Sequence, residues 1–318
     1  MKQSAFIRGR ISRAAIATTA AFLPAVAHAD EPLFGFVYTT DTLPKGKKEV
    51  EQWVTVRQGR SQGDFRLLQT RTEFSYGASD SLQLSGYLNF AYADVYHNAP
   101  SGETSPPEVF ADFAVDPNKR FRKLRFETAS AEAIWRIASP YSGPVGVALY
   151  VEPSVGPRTR ELENKLIVQK NFHDDRIVLA ANATLSYEWR KLPGDPAATP
   201  GAADAVAHWD KETDVNFGVA GSYRFTSNWS LGAELQNEHE WAGLDPFDGS
   251  KRINQAWYTG PSLHYGGRHF FATLTALAQL PWAHDYENEG ADSFVVDGIT
   301  NADDFENVRV RLKLGYYF

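Results

Sequence analysis

Between Arg176 and Lys191 the chain reads RIVLAANATLSYEWRK, and its apolar residues fall on every second position. Ile177, Leu179, Ala181, Ala183, Leu185, Tyr187 and Trp189 share one side. Val178, Ala180, Asn182, Thr184, Ser186, Glu188 and Arg190 share the other. Seven alternations without a slip match the two-residue period of a strand and place apolar residues on all sides of a helix. The pattern recurs in LQLSGYLNFAY from Leu82, VGVALYVEPSV from Val145, DVNFGVAGSYRF from Asp214, WSLGAELQNEHEW from Trp229 and FFATLTALAQL from Phe270.

Segments of this kind predict twelve strands, near 47–58, 64–76, 82–93, 121–137, 145–156, 161–172, 176–190, 209–225, 229–241, 254–265, 268–280 and 305–318. Short connections (GASDS, SPYSGP, HDD, TSN, GGR) take turns with long ones at 94–120, 191–208, 242–253 and 281–304, with 59–63 and 157–160 as short exceptions. An even number of long strands joined by alternating short and long loops describes an all-β, transmembrane, antiparallel up-and-down barrel of about twelve strands. Short turns and both termini then lie on the periplasmic side. Tyr92, Trp135, Trp189, Trp229, Trp241 and Phe318 sit near predicted strand ends, where the girdles of a membrane barrel lie. A soluble sandwich rarely holds strands this long. The 100–120 stretch, in the longest loop, is placed to fold over the mouth.

Composition agrees. Aromatics reach 13%, while mean hydropathy is only −0.39, as expected where polar and apolar residues alternate. Residues 1–29 carry a basic head (Lys2, Arg8, Arg10, Arg13), a short apolar run and an Ala27-His28-Ala29 end, the three parts of a secretory signal. The run is shorter than the ~20 residues of a spanning helix. Removing the four basic residues of the signal from the 32 leaves 28 against 39 acidic, a net charge near −11, which argues against nucleic acid as a partner. With no cysteine, thiol catalysis is excluded and a closed hydrogen-bonded sheet must replace disulfides. The expected organisation is a signal at 1–29, a periplasmic N-terminal segment at 30–46 and the barrel at 47–318. Pro32, Gly35, Pro44 and Gly46 argue against regular structure in that segment and suit a short plug in the periplasmic mouth.

The closing strand, RVRLKLGYYF, resembles that of Gram-negative outer-membrane barrels, with Val308, Val310, Leu312, Leu314, Tyr316 and Phe318 in alternation. In those proteins the pattern is read by the barrel assembly machinery. The resemblance thus implies an assembly signal in Leu312, Leu314, Tyr316 and Phe318, and the assembly machinery as a partner. EPLFGFVYTTDTLPKGKKEVEQW (31–53) and RTEFSYGASDSLQL (71–84) are similar to the opening of an uncharacterised family of proteobacterial outer-membrane barrels. This likeness implies the architecture and an outer-membrane location, and transfers no function.

With apolar faces on lipid, the opposite faces supply the candidate lumen: Glu51, Arg57, Arg71, Glu73, Glu161, Glu163, Lys165, Glu188, Arg190, Glu234, Glu238, Arg309, Arg311 and Lys313, with Glu240 on the same side. Closure of the first strand on the last is expected to set Glu49 and Glu51 beside Arg311 and Lys313. Glu161 and Glu163, half-way round, are expected to face Arg309. An acidic wall opposite a basic one orients polar solutes, and the same pairs equally serve as a stiffening salt-bridge network. The expected function is a narrow porin-like channel for small polar or charged solutes. The alternatives are a closed barrel with loops for surface binding, adhesin- or receptor-like, and a rim-sited hydrolase. No His lies in a Ser, Asp or Glu motif of catalytic spacing, and in NEHEW the side chain of His239 points opposite to Glu238 and Glu240. No enzyme, cofactor or metal site is therefore expected. The acidic loop 283–307 has the oxygen density to bind Ca²⁺ or the divalent ions that bridge lipopolysaccharide, but it lacks the spacing of a calcium loop, which favours a solvated loop over that alternative. Outer-membrane lipid and lipopolysaccharide complete the expected partners.

Overall fold

The computed structural model describes residues 32–60, 63–96, 106–113, 115–116, 118–194, 199, 201–202, 205–286, 295–296, 299–300 and 305–318. The leader expected at 1–29 and most of the acidic loop, including Glu287, Glu289, Asp292, Asp297, Asp303 and Asp304, lie outside the described residues. Twelve long strands run β1 (Lys48–Gln58), β2 (Asp64–Ser79), β3 (Leu82–Tyr96), β4 (Phe121–Ala138), β5 (Gly146–Val155), β6 (Thr159–Phe172), β7 (Ile177–Leu192), β8 (His208–Arg224), β9 (Trp229–Ala242), β10 (Arg252–Gly266), β11 (Phe270–Gln279) and β12 (Val308–Tyr317). Each pairs antiparallel with its sequence neighbours, and β1 pairs with both β2 and β12, so the sheet closes. Closure matters in lipid, where an open edge would leave a row of unsatisfied N–H and C=O groups. The predicted strands are found within a few residues at each end.

Burial is inverted relative to a water-soluble protein. Phe74, Leu84, Leu88, Trp135, Leu166, Phe217 and Leu231 are exposed on the outside, whereas Glu49, Glu73, Glu132, Glu152, Glu234, Arg309 and Lys313 are buried inside. The register produces this directly. On neighbouring strands, paired residues point to the same face, so rungs such as Leu166–Ala183–Phe217 and Val168–Ala181–Val219 stack into one apolar band.

The N-terminal segment lies inside this wall. Residues 33–43 have no regular secondary structure and arch through the short-turn end of the lumen, where Phe34, Val37 and Leu43 are buried. Phe34 and Val37 pack on Ala180 and Ala220, small residues on inward rungs that leave room for the insert. Gly35 lies so close to β11 that a Cβ there would stand 2.6 Å from Thr275 Cβ, so only glycine fits. Gly46, with φ of 82°, turns the chain from the arch into β1.

Candidate functional site

The outer half of the barrel encloses a cavity of about 420 Å³ walled by charge. The strands β1, β2 and β12 contribute Arg57, Arg71 and Arg311, while β4 to β9 contribute Glu127, Glu152, Glu161, Glu188, Asp214, Glu238 and Glu240 together with one cation, Arg190. Every charged residue named from the sequence is on an inward rung. The two walls are nevertheless stitched together rather than left open.

Arg309, 2% exposed, is clamped by Glu238 through a forked pair (Nη2 to Oε2, 2.9 Å) and donates from Nε to Glu306 Oε1 at 2.6 Å. Its expected opposition to Glu161 and Glu163 is therefore corrected. Glu238 comes from β9 and Glu306 from the residues just before β12, both nearer neighbours than β6. Glu163 instead pairs with Lys165 on its own strand. Arg71 pairs with Glu152 across the lumen and stacks on Tyr87, 3.6 Å from the ring centre. Arg190 meets Glu188 at 2.9 Å and Glu212 at 2.7 Å. Arg57 reaches Glu306 at 3.4 Å. Glu73 accepts a hydrogen bond from Ser75 Oγ at 2.5 Å.

The closing register also revises the expected neighbours of Arg311 and Lys313. Glu51 stands opposite Gly315 and Glu49 opposite Tyr317, while Trp53 stands opposite Lys313 and Thr55 opposite Arg311. The cations thus sit one or two inward rungs above the carboxylates. Glu51 takes the indole N–H of Trp53 at 2.5 Å. Lys313 Nζ lies over the Trp53 ring at 3.9 Å, and the Arg311 guanidinium lies over Phe36 at 4.0 Å while donating to Thr55 Oγ1 at 2.8 Å. Among the described residues, neither cation meets a carboxylate within 4.0 Å. Aromatic faces stand in for anions here, an exchange that is strongest where water is excluded.

Beneath the cavity the inserted arch forms a floor. The Glu234 carboxylate of β9 accepts three successive backbone N–H groups, from Gly35 (2.8 Å), Phe36 (2.9 Å) and Val37 (2.9 Å), and the hydroxyl of Thr275 (2.9 Å). Asn182 of β7 exchanges a pair of hydrogen bonds with the backbone of Tyr38, at 2.6 and 2.9 Å. Gln169 of β6 accepts from Thr40 N at 2.7 Å, and Gln83 of β3 accepts from Leu43 N at 2.8 Å. Arg311 donates to the Gly35 carbonyl at 3.1 Å, and Thr273 donates to the Pro32 carbonyl at 2.5 Å. Asp41 accepts from Tyr141 Oη (2.8 Å) and Gln169 Nε2 (3.3 Å); burial raises its carboxyl above the usual carboxylate range despite these donors. The segment expected as a short plug in the mouth is thus fastened to six strands, β3, β6, β7, β9, β11 and β12.

The upper end is narrowed by residues 106–113 of the long loop. Glu108 meets Arg190 at 3.2 Å, Arg125 binds both the Val109 carbonyl and Asp112, and Phe110 is buried against Phe65, Leu67 and Phe121. Sequence reasoning missed Glu127, Glu132, Glu152 and Glu306 as lumen residues, although the alternation of VGVALYVEPSV places Glu152 on the polar side. His239 lies on an outward rung beside Trp241, with ring centres 5.4 Å apart, while Glu238 turns inward to Arg309. Among the described residues, no group of three or more His, Asp or Glu side chains is arranged to hold a metal ion.

A model of a family of unknown function, DUF6662, matches residues 26–318. No curated protein matches the sequence. Among solved structures, the COG4313 outer membrane channel from Pseudomonas putida F1 is similar at 12% identity and a TM-score of 0.50, over 88% of this chain and 98% of that one. The beta domain of the Bordetella autotransporter BrkA is similar at 11% identity and a TM-score of 0.50, over 86% and 100% of the two chains. The NanC porin aligns at 10% identity and a TM-score of 0.45, over 84% and 98%. At such identities the likeness is one of fold, that of a Gram-negative outer-membrane β-barrel.

Proposed function

The chain belongs to the DUF6662 family, and we propose that this outer-membrane barrel is a narrow, plugged channel for small polar or charged solutes. One observation carries the reading. The outer lumen is a cavity of about 420 Å³ bounded by carboxylates and guanidinium groups, where a structural barrel without a solute path would fill the same volume with side chains. Its walls differ in the balance of charge by strand, basic on β1, β2 and β12 and predominantly acidic from β4 to β9, where Arg190 is the one cation among seven lining carboxylates, so a dipolar solute entering from outside meets a preferred orientation. Passage then requires residues 33–43 to leave their anchors, since these occupy the lumen beneath the cavity. The mechanism is passive, by size and charge, with the arch as the gate.

The plug also favours a second reading, a closed barrel whose outer cavity and loops bind a ligand without passing it on. Planar-bilayer recordings of the purified, folded chain separate the two. Channel function requires discrete conductance that grows when residues 33–43 are deleted. A silent wild type together with a silent deletion variant, both folded, would leave the closed barrel.

A further inference from the structure

The outward surface of β6, β7 and β8 carries a group of residues that the lumen does not use. In the cross-strand register, Arg160 pairs with Trp189, and Trp189 pairs with Lys211. One rung further out, Lys191 pairs with Trp209. All five are on the outward face, because their rung neighbours Leu162 and Val155 are exposed to lipid while Glu161, Glu188 and Arg190 point inward to the cavity. The Arg160 guanidinium lies over the Trp209 ring at 4.5 Å, reaching across β7. Arg160 and Lys211 are exposed and Lys191 is half-buried. Among the described residues, none of the three meets a carboxylate within 4.0 Å.

The position of this group is as telling as its composition. Directly below it, towards the short-turn end, the outward rungs read Leu162–Tyr187–Thr213, then Asn164–Leu185–Val215, then Leu166–Ala183–Phe217. The cations therefore stand at the upper margin of the apolar band, on the long-loop side that faces outwards. Strands lie about 4.8 Å apart and same-face rungs about 7 Å apart, so three positive charges and two indoles fall within an area close to that of a single sugar headgroup. Charge at this depth meets lipid headgroups rather than acyl chains or bulk water.

We propose that Arg160, Lys191 and Lys211, with Trp189 and Trp209, form a binding site for the phosphorylated headgroup of an outer-leaflet glycolipid. The cations take the phosphate oxygens through charge-assisted hydrogen bonds, and the indoles lie at the boundary of sugar and acyl chain, where amphipathic rings are favoured. The site is independent of the channel reading, because every side chain in it points away from the lumen.

The test uses the full chain purified in detergent, with purified lipopolysaccharide and its enzymatically dephosphorylated form as probes, and bound lipid counted by native mass spectrometry. Wild type is expected to hold the phosphorylated form about tenfold or more tightly than the dephosphorylated one, and the Arg160→Gln/Lys211→Gln variant to lose most of that preference. Lys48→Gln, which removes an exposed cation at the opposite rim, is expected to bind as wild type does. Gln replacements at exposed sites leave the strand pairing intact, and a heat-induced gel shift confirms folding of each variant. Equal binding of the two lipid forms by wild type, or an unchanged preference in the double variant, would overturn the proposal. So would an equal loss in Lys48→Gln, because it would mean that overall charge acts rather than this site.

Discussion

Glu234 and Gly35, 199 residues apart in sequence, meet through a hydrogen bond of 2.8 Å from the Gly35 amide to the Glu234 carboxylate. Phe36 and Val37 donate to the same carboxylate, so one side chain of the wall holds three consecutive peptide groups of the arch. Hydrogen bonds to an ionised acceptor contribute about 1.5–3 kcal/mol each, roughly twice a neutral one. Glu234→Gln keeps one accepting oxygen and replaces the other with a donor that faces N–H groups. The arch is expected to detach more often, seen in bilayers as a higher open fraction than wild type with unchanged single-channel size. An open fraction equal to that of wild type would show that Glu234 does not hold the gate.

Arg309 is a different matter, because it fastens the wall rather than the arch. Removing one partner of a buried ion pair strands the other, at a cost of about 3–5 kcal/mol. Arg309→Ala leaves both Glu238 and Glu306 without their shared cation. The heat-induced unfolding of the barrel on gels is expected at a distinctly lower temperature. Arg309→Ala with Glu238→Gln should recover part of the loss; no recovery would mean the pair is not coupled.

Arg311 lines the cavity without a carboxylate partner, which makes it the cleanest probe of selectivity. Arg311→Glu is expected to move the reversal potential in a salt gradient towards cations, with stability changed far less than in Arg309→Ala. An unmoved reversal potential in a conducting variant would place the solute path away from this side chain.

Asp41 gives the plug a pH dependence whose sign follows from burial. Its carboxyl is raised in the docked arch relative to a solvated one. Docking is therefore fully favoured below the ordinary carboxylate range and weakens as pH rises through the docked value. Open events are expected to be rarer in mildly acidic than in neutral buffer, and Asp41→Asn is expected to remain in the acid-like, mostly closed state at neutral pH. A pH response retained in Asp41→Asn would assign it to another group.

Phe318 follows directly on β12, 65% exposed, with its backbone N–H bonded to the Lys48 carbonyl at 2.9 Å. Phe318→Ala is expected to lower the amount of folded barrel recovered from the outer membrane while leaving the melting behaviour of that fraction nearly unchanged. Such a split would support a role for Phe318 in assembly, and an equal loss of melting temperature in the recovered barrel would make it a structural contact instead.

The wall was readable because a membrane barrel repeats one rule over its whole length. The alternation through Ile177, Leu179 and Ala181 sets the outward face of β7, and the polar residues between them follow. Register was harder to read. Closure of β1 on β12 was visible, but the rung offset that sets Trp53 rather than Glu51 opposite Lys313 depends on the stagger of the whole barrel. The plug was legible as an irregular segment suited to the mouth, but its seat in the lumen was not. Its anchors are single Gln, Asn and Glu side chains, Gln83, Gln169, Asn182 and Glu234, that look like any other lumen residue. Arg160, Trp189 and Lys211 were hidden for the same reason, since only the register brings them onto one rung.

The anchors of residues 33–43 are spread over β3, β6, β7, β9, β11 and β12. No hairpin or half-sheet offers them together, so the arch finds its complete seat only once the wall is nearly whole. The expected order of maturation is therefore that the cylinder closes first and is stoppered afterwards. On that order the unsealed cylinder is a step of assembly, and the same form is the one that release of the arch would restore.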